Sequence, residues 1–166
     1  YMHPRVIMDF DGESFGSGAL ADETIASGSA RPKRPRDITD GLSNTVLMLE
    51  SAGSPVNYIL TRPNDNPPAY FGWYGEWPDT VGIFVVPYTA DGATPSFIHP
   101  AAGGGTTARG SCIMNCNNNQ SPYSFHSGGI NVAMCDGSVH FLAESMNPET
   151  FWSLCCRNDG NVVEGF

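Results

Sequence analysis

The sequence contains few charged residues, and basic residues are the scarcest of them. Lysine and arginine number 8 against 17 aspartates and glutamates, so the net charge is −9. A surface that follows nucleic-acid phosphates needs positive charge, which argues against nucleic acid as a partner. Four of the eight basic residues lie within positions 31–36, where two prolines hold the chain extended. We interpret this basic run as an exposed linker; the alternative is contact with an acidic partner, such as a neighbouring copy of the protein.

The sequence also lacks a long apolar segment, an internal repeat and a recognisable signal peptide. A membrane-spanning helix needs about 20 consecutive apolar residues, and no stretch approaches that length. The first residue is Tyr1 rather than Met, which suggests processing or a fragment. We therefore expect one globular domain over residues 1–166, either complete or the C-terminal part of a longer precursor. The 19 glycines and 13 prolines predict a loop-rich fold with more β than α structure.

Five cysteines are present, which favours an oxidising, extracytoplasmic compartment: periplasm, cell surface or secreted. We expect a disulfide between an Asn-rich loop and the C-terminal segment. Its candidate members are Cys112, Cys116, Cys155 and Cys156. The alternative is a metal site at the C-x-x-x-C spacing of the loop, but that site lacks the second ligand pair of a structural zinc.

Short apolar runs bounded by turn residues predict the strands. The candidates are residues 6–8, 45–50 and 81–86, and Pro87 ends the last of these or puts it at a sheet edge. The continuous apolar run in residues 45–50 predicts cover on both faces. We interpret residues 61–80 as a long excursion packed by its own aromatic side chains, and residues 89–122 as loop.

A β-hairpin is the clearest local prediction, because Asp136-Gly137 suits a two-residue type I′ turn. Pairing outward from this turn places Met134 opposite Val139 and Val132 opposite Phe141. These four side chains are predicted to face the core. A short helix is predicted to follow, with Asn147 as its N-cap and Pro148 at its first position. Its buried stripe would be Phe151, Leu154 and Cys155.

Two segments carry motifs that resemble a known family. The first has nine residues between His126 and Asp136-Gly137, and includes Gly128 and Gly129. The second spells I-T-D-G-x-S-N-T over residues 38–45, ahead of an apolar strand that ends in Glu50; its motif residues are Asp40, Gly41, Ser43 and Asn44. With the short helix and the Gly-rich, acidic close at residues 158–164, they resemble the prepilin-like family abundant in planctomycetes. The resemblance covers residues 37–53 and 125–166.

The resemblance implies a pseudopilin-like globular head of the α+β class, rich in β, with an antiparallel sheet, long loops and a short C-terminal helix. Family members normally begin with the helix of a type IV pilin or type II secretion pseudopilin, which this sequence lacks. That helix would have been removed, lie outside the chain or be supplied by another subunit, and any membrane contact would pass through it. The implied function is a non-enzymatic structural subunit that acts by protein–protein assembly in a pilus-like, secretion or membrane-associated complex, including assembly with its own copies.

A catalytic interpretation of His126 and Asp136 is disfavoured by the hairpin itself. Five strand residues separate its ends by about 16–17 Å, so we expect Asp136 to form the turn and His126 to hydrogen-bond loop backbone near Gly128. A G-x-S-x-G run over residues 12–16 resembles a hydrolase elbow, but the strand–helix alternation of that fold is missing. We therefore expect no catalytic residue and no enzymatic activity.

Calcium is the one cofactor for which the sequence offers clustered oxygen ligands. The clusters are Asp37, Asp40 and Asn44, and Asp9, Asp11 and Glu13. Neither fits the EF-hand spacing, and turn formation explains both, so no cofactor is expected.

Aromatic residues concentrate in segment 70–77. They are Tyr70, Phe71, Trp73, Tyr74 and Trp77. Packing into a small satellite core is the favoured interpretation. The alternative is an extracellular glycan- or peptide-binding module that uses this segment.

Overall fold

The structure is a computed structural model that describes residues 4–8, 14–19, 34–67, 83–95, 110–119, 121–161, 163 and 165–166. The strands are β1 (Pro4–Met8), β2 (Ser14–Ser17), β3 (Val46–Leu49), β4 (Tyr58–Ile59), β5 (Arg62–Pro63), β6 (Ile83–Val85), β7 (Gly129–Met134) and β8 (Val139–Ala143). One α-helix, α1 (Pro148–Cys155), follows them, and two single 3-10 turns lie at Pro35–Asp37 and Leu42–Asn44. This content is a β-rich α+β fold, as predicted.

The described strands form three small sheets, in the orders β2-β1-β6, β3-β7-β8 and β4-β5. All pairs are antiparallel except β1 with β6, which is parallel. The strands predicted at residues 6–8, 45–50 and 81–86 are confirmed as β1, β3 and β6. The parallel pair was not predicted, because it joins segments far apart in the chain.

The main core lies between the β3-β7-β8 sheet and α1. Val46 and Leu49 of β3 are fully buried against side chains of β7 and of the helix. The predicted helix is confirmed, since the Asn147 side chain accepts hydrogen bonds from the backbone N–H groups of Glu149 and Thr150. Its buried side chains are Phe151, Trp152, Leu154 and Cys155. Burial of this apolar stripe on the sheet is what holds so short a helix in place.

The β7–β8 hairpin has a three-residue turn instead of the predicted two-residue turn. The Met134 N–H donates to the carbonyl of Ser138 at 2.9 Å, and the Gly137 N–H donates to the carbonyl of Met134 at 3.0 Å. Gly137 has a φ of 90°, the left-handed conformation that closes a three-residue hairpin after a tight turn. The turn therefore contains Cys135 as well as Asp136 and Gly137.

The longer turn shifts the strand register by one residue and inverts β8. Ala133 lies opposite Val139, and Asn131 lies opposite Phe141. The side chains of Val139 and Phe141 are 69% and 52% exposed, so the prediction that they face the core is wrong. The β7 half of the prediction is correct, because Val132 is buried. A slip of one residue moves every side chain of a strand to its other face.

Candidate functional site

The buried carboxylate of Asp40 joins the first motif to the C-terminal segment. Only 4% of Asp40 is exposed, and its two oxygens accept the backbone N–H groups of Asp159 at 2.8 Å and Gly160 at 3.1 Å. The Arg157 carbonyl accepts the N–H groups of Thr39 and Asp40 in return. These bonds give the backbone N–H groups acceptors within the protein. Asp40 therefore acts as a brace, that is, a side chain that holds the chain end against the first motif.

The remaining residues of the first motif shape the turn before β3. Gly41 has a φ of 102°, and its carbonyl accepts the Thr45 hydroxyl at 3.0 Å. The Asn44 side chain donates to the Asp40 carbonyl at 3.4 Å, while Ser43 is exposed. The motif is thus a turn stabilised by hydrogen bonds between its own residues. Asp40 carries its one buried carboxylate.

The two motifs meet at the tip of the hairpin. The N–H of Asp136 donates to the Leu42 carbonyl at 3.0 Å, and the N–H of Cys135 donates to the Thr45 carbonyl at 2.9 Å. Asp136 Oδ1 accepts both the hydroxyl and the N–H of Ser138, at 2.7 and 2.8 Å. These bonds, the hydroxyl first, lower the pKa of the exposed Asp136 carboxyl. Asp136 therefore stabilises the turn and lies at the end of β7 remote from His126.

His126 contacts the Glu50 carboxylate at the opposite end of β7. The distance from His126 Nε2 to Glu50 Oε1 is 3.3 Å. The Glu50 carboxylate also accepts the N–H of Asn131 at 2.8 Å and its side-chain amide at 3.2 Å. The imidazole therefore meets a side chain of the other motif, in place of the loop-backbone contact that we expected. The side chain of Glu50 is 12% exposed, and that of His126 is 58% exposed.

Glu50 and His126 line an open cleft of about 370 Å³. Its lining residues are Glu50, Ser51, Ala52, Ser124, Phe125 and His126. Phe125 is 65% exposed, yet its ring packs edge-on against Tyr58 at 5.1 Å and Tyr123 at 5.6 Å. The cleft thus combines a supported aromatic ring with a carboxylate and an imidazole.

The glycines of the His126 motif have different roles. Gly128 has a φ of 82°, with open space where a Cβ would stand. At Gly129, a Cβ would press on the backbone carbonyl of Leu142 and on the ring of Phe141. Only glycine lets the start of β7 approach β8 this closely.

The disulfide joins Cys112 to Cys116, within the Asn-rich loop, with an S–S distance of 2.14 Å. The prediction that it would tie the loop to Cys155 or Cys156 is therefore wrong, since both are free thiols. Burial raises the pKa of Cys156 to about 12 and that of Cys155 well above its ordinary value. Burial, with the nearby Asp136 charge, raises the pKa of Cys135 to about 11. Thiols held protonated in this way are poor nucleophiles.

A network of buried asparagines was missed by the sequence reasoning, which assigned Asn117 and Asn118 only to a polar loop and made no prediction for Asn57. Asn57 donates to the side chains of Asn117 and Asn118, both at 2.9 Å. Asn118 in turn donates to the carbonyls of Ala52 and Val56. The available signal was the density of asparagines in a loop flanked by cysteines, because amides that can be both donor and acceptor suit a loop packed without regular structure.

Several candidate ligands lie apart or outside the described residues. Asp37 accepts the N–H of Arg34 at 2.9 Å, whereas Asp40 binds the chain end. Within the described residues, no group of three or more His, Cys, Asp or Glu side chains is placed to hold a metal ion. The second predicted cluster (Asp9, Asp11 and Glu13) and the aromatic segment 70–77 lie outside the described residues. Ser14 of the G-x-S-x-G run is described, and it lies in strand β2.

None of the described helices has the length and apolar character required to span a membrane.

Residues 7–149 match the model of a family described as "Protein of unknown function (DUF1559)", and the chain belongs to this family. The match contains both segments on which the planctomycete-type, pseudopilin-like resemblance was based, except for the chain end after residue 149. No curated protein and no solved structure matches the chain.

Proposed function

We propose that the protein is a non-enzymatic, extracytoplasmic structural subunit that acts by protein–protein assembly in a pilus-like, secretion or membrane-associated complex. The observation that supports this proposal is the use of the motif side chains. Asp40 and Glu50 bind backbone N–H groups of distant segments, and Asp136 binds within its own turn. An active site instead leaves its acids and bases directed at a substrate.

The exposed face of β8 supports assembly from a second direction. Among the described strands, β8 lies at the edge of its sheet, and it exposes Val139 and Phe141 on one face. Exposed apolar side chains on an edge strand favour association with another chain. The partner proposed here is another subunit of the same assembly.

The test uses the native protein, extracted gently from the cells that make it and cross-linked before separation. We expect it in complexes larger than one chain and in an extracytoplasmic fraction. Phe141→Lys should lower the cross-linked fraction, because a charge on this face would have to be desolvated in an interface. Val56→Lys is the matched control, since Val56 is 44% exposed and belongs to no strand of the β3-β7-β8 sheet. A protein that remains a single chain in such extracts would contradict the proposal.

A further inference from the structure

We propose that the cleft between Phe125 and Glu50 binds a cationic side chain of a second copy of this protein, presented by its basic run at positions 31–36. The inference rests on the proposed function, because it names a contact that assembly would use. The residues that line this cleft do not include Val139 or Phe141, the exposed apolar residues of β8. The two proposals can therefore be tested separately.

The aromatic wall of the cleft is held in position before any ligand arrives. Phe125, Tyr58 and Tyr123 form a cluster in which the Phe125 ring stands nearly perpendicular to both tyrosines, at 84° and 87°. The Tyr123 hydroxyl also donates to the carbonyl of Leu60, which fixes the base of the cluster. A rigid and exposed ring of this kind is the surface on which a guanidinium stacks at low entropic cost.

The lining of the cleft also includes the carboxylate of Glu50. Asn131 donates to both Glu50 oxygens through its N–H and its side-chain amide, and these two bonds orient the carboxylate. Its Oε1 atom faces the half-exposed imidazole of His126. An arriving guanidinium would share this oxygen with His126 or displace the imidazole outward. A charge-assisted bond to a partly buried carboxylate is stronger than one to an exposed carboxylate.

The sign of the charge selects the ligand. The chain carries a net charge of −9, and a carboxylate forms part of the cleft wall, so an anion would be repelled from it. A cation with an apolar stem suits both groups in the lining, because its stem can cover the ring while its head bonds the carboxylate. Arginine and lysine side chains have this form.

The basic run is the complementary segment on the same chain. Its described members Arg34 and Arg36 are exposed, as is Pro35 between them. Asp37 accepts the N–H of Arg34, and this bond holds the end of the run as a short, ordered turn. The concentration of half of the chain's basic residues in six positions is the charge complement of a cleft built around Glu50.

The experiment measures binding of a fluorescent peptide of residues 30–37 to the purified full chain by anisotropy. We expect saturable binding that weakens with added salt. Phe125→Ala and Glu50→Gln should each weaken it by about tenfold. Gln keeps an oxygen for the N–H of Asn131, and a circular dichroism melt checks that each variant is folded. Val56→Ala is the matched control, because it removes an exposed apolar side chain that does not line the cleft, and it should bind like the parent.

Two results would overturn the inference. One is no saturable binding of the peptide to the parent chain. The other is unchanged binding by a folded Phe125→Ala variant. This second result is decisive even if the Glu50→Gln variant does not fold. If the peptide fails to bind while the native protein still assembles, only this inference is lost. If the peptide binds but the native protein is a single chain in gentle extracts, the proposed function is lost, and the cleft is left as a cation-binding site without a role in assembly.

Discussion

At the scale of single residues, two acidic side chains join distant segments of the chain by accepting hydrogen bonds from them. A buried carboxylate is tolerated only when hydrogen-bond donors replace the water it has lost. Asp40 obtains two such donors from Asp159 and Gly160, and Glu50 obtains the N–H and amide of Asn131. In each brace the carboxylate loses contact with water, and its hydrogen bonds hold a distant segment in position.

Asp40→Ala should lower the free energy of unfolding by about 2–3 kcal/mol, because it leaves two backbone N–H groups without their charged acceptor. Urea denaturation followed by tryptophan fluorescence measures the loss. Asp65→Ala is the control, since Asp65 is exposed, and it should change stability by no more than about 0.5 kcal/mol. Equal losses in the two variants would refute the role assigned to Asp40.

Cys135 should react with iodoacetamide about 100-fold more slowly at pH 8 than an unperturbed thiol, because burial, followed by the Asp136 charge, raises its pKa to about 11. The raised pKa means that the protonated thiol favours the folded state. This contribution to stability is complete below pH 9 and is lost as the pH rises towards 11. Mass spectrometry of the alkylated peptide measures the rate, and the same thiol in urea is the control. A rate in the folded protein equal to that in urea would contradict the prediction.

The sequence predicted at this scale which residues form the motifs but not what each one binds. Asp40, Glu50 and His126 were all identified by position in a motif. The partners of the two carboxylates lie 81 to 120 residues away in the sequence. A local pattern does not encode such contacts, since they depend on how the sheet and the chain end are packed.

At the scale of the element, one additional turn residue in the β7–β8 hairpin determines which side chains of β8 face the core and which face solvent. Asp136-Gly137 suits both the two-residue turn and the three-residue turn with a left-handed glycine. The choice is made by tertiary contacts, since the Cys135 and Asp136 N–H groups bond to Thr45 and Leu42. Strands β1, β3 and β6 and helix α1 were predictable because apolar runs and the Asn147 cap are local signals. The orientation of Val139 and Phe141 depends on contacts outside the hairpin, and its prediction from the local sequence was wrong.

Gly129→Ala should destabilise the hairpin more than Gly137→Ala. At Gly137 a Cβ meets open space, so the loss is only the strain of a positive φ, about 1 kcal/mol. At Gly129 a Cβ would press on the Leu142 backbone, so β7 and β8 must separate, at a cost of about 2–3 kcal/mol. Chemical denaturation of the two variants gives both values. A loss at Gly129 no larger than that at Gly137 would show that the strands approach less closely than described.

At the scale of the whole molecule, the Cys112–Cys116 loop connects parts of the chain that form no common sheet. Cys112 exchanges two backbone hydrogen bonds with Tyr88, and the Cys116 carbonyl accepts the N–H of Leu60. Asn117 donates to the carbonyl of Gly92. The disulfide thus restrains a loop to which the irregular segments of the molecule are hydrogen-bonded. The β3-β7-β8 sheet and α1 form the regular part.

The oxidised protein should show three thiols in denaturant and five after reduction, because one disulfide is present and three cysteines are free. Reduction should lower the free energy of unfolding by roughly 2 kcal/mol, as expected for closure of a very short loop. Ellman's reagent gives the count, and denaturation with and without reductant gives the stability. Cys135→Ser is the control, since it should lower both counts by one and leave the effect of reduction unchanged. Five thiols before reduction would contradict the pairing.

The brace between Asp40 and the chain end has a kinetic consequence. It closes a separation of 119 residues in the sequence, so the native contacts around it form only after most of the chain has been synthesised and collapsed. A topology with such distant contacts folds slowly, and until it closes, the exposed β8 edge is open to wrong partners. Longer insertions between the two motifs would slow this closure only slightly, since each doubling of a loop costs about 0.6 kcal/mol. The fold can therefore carry very different loops on one frame, provided that the chain is protected from aggregation while its ends find each other.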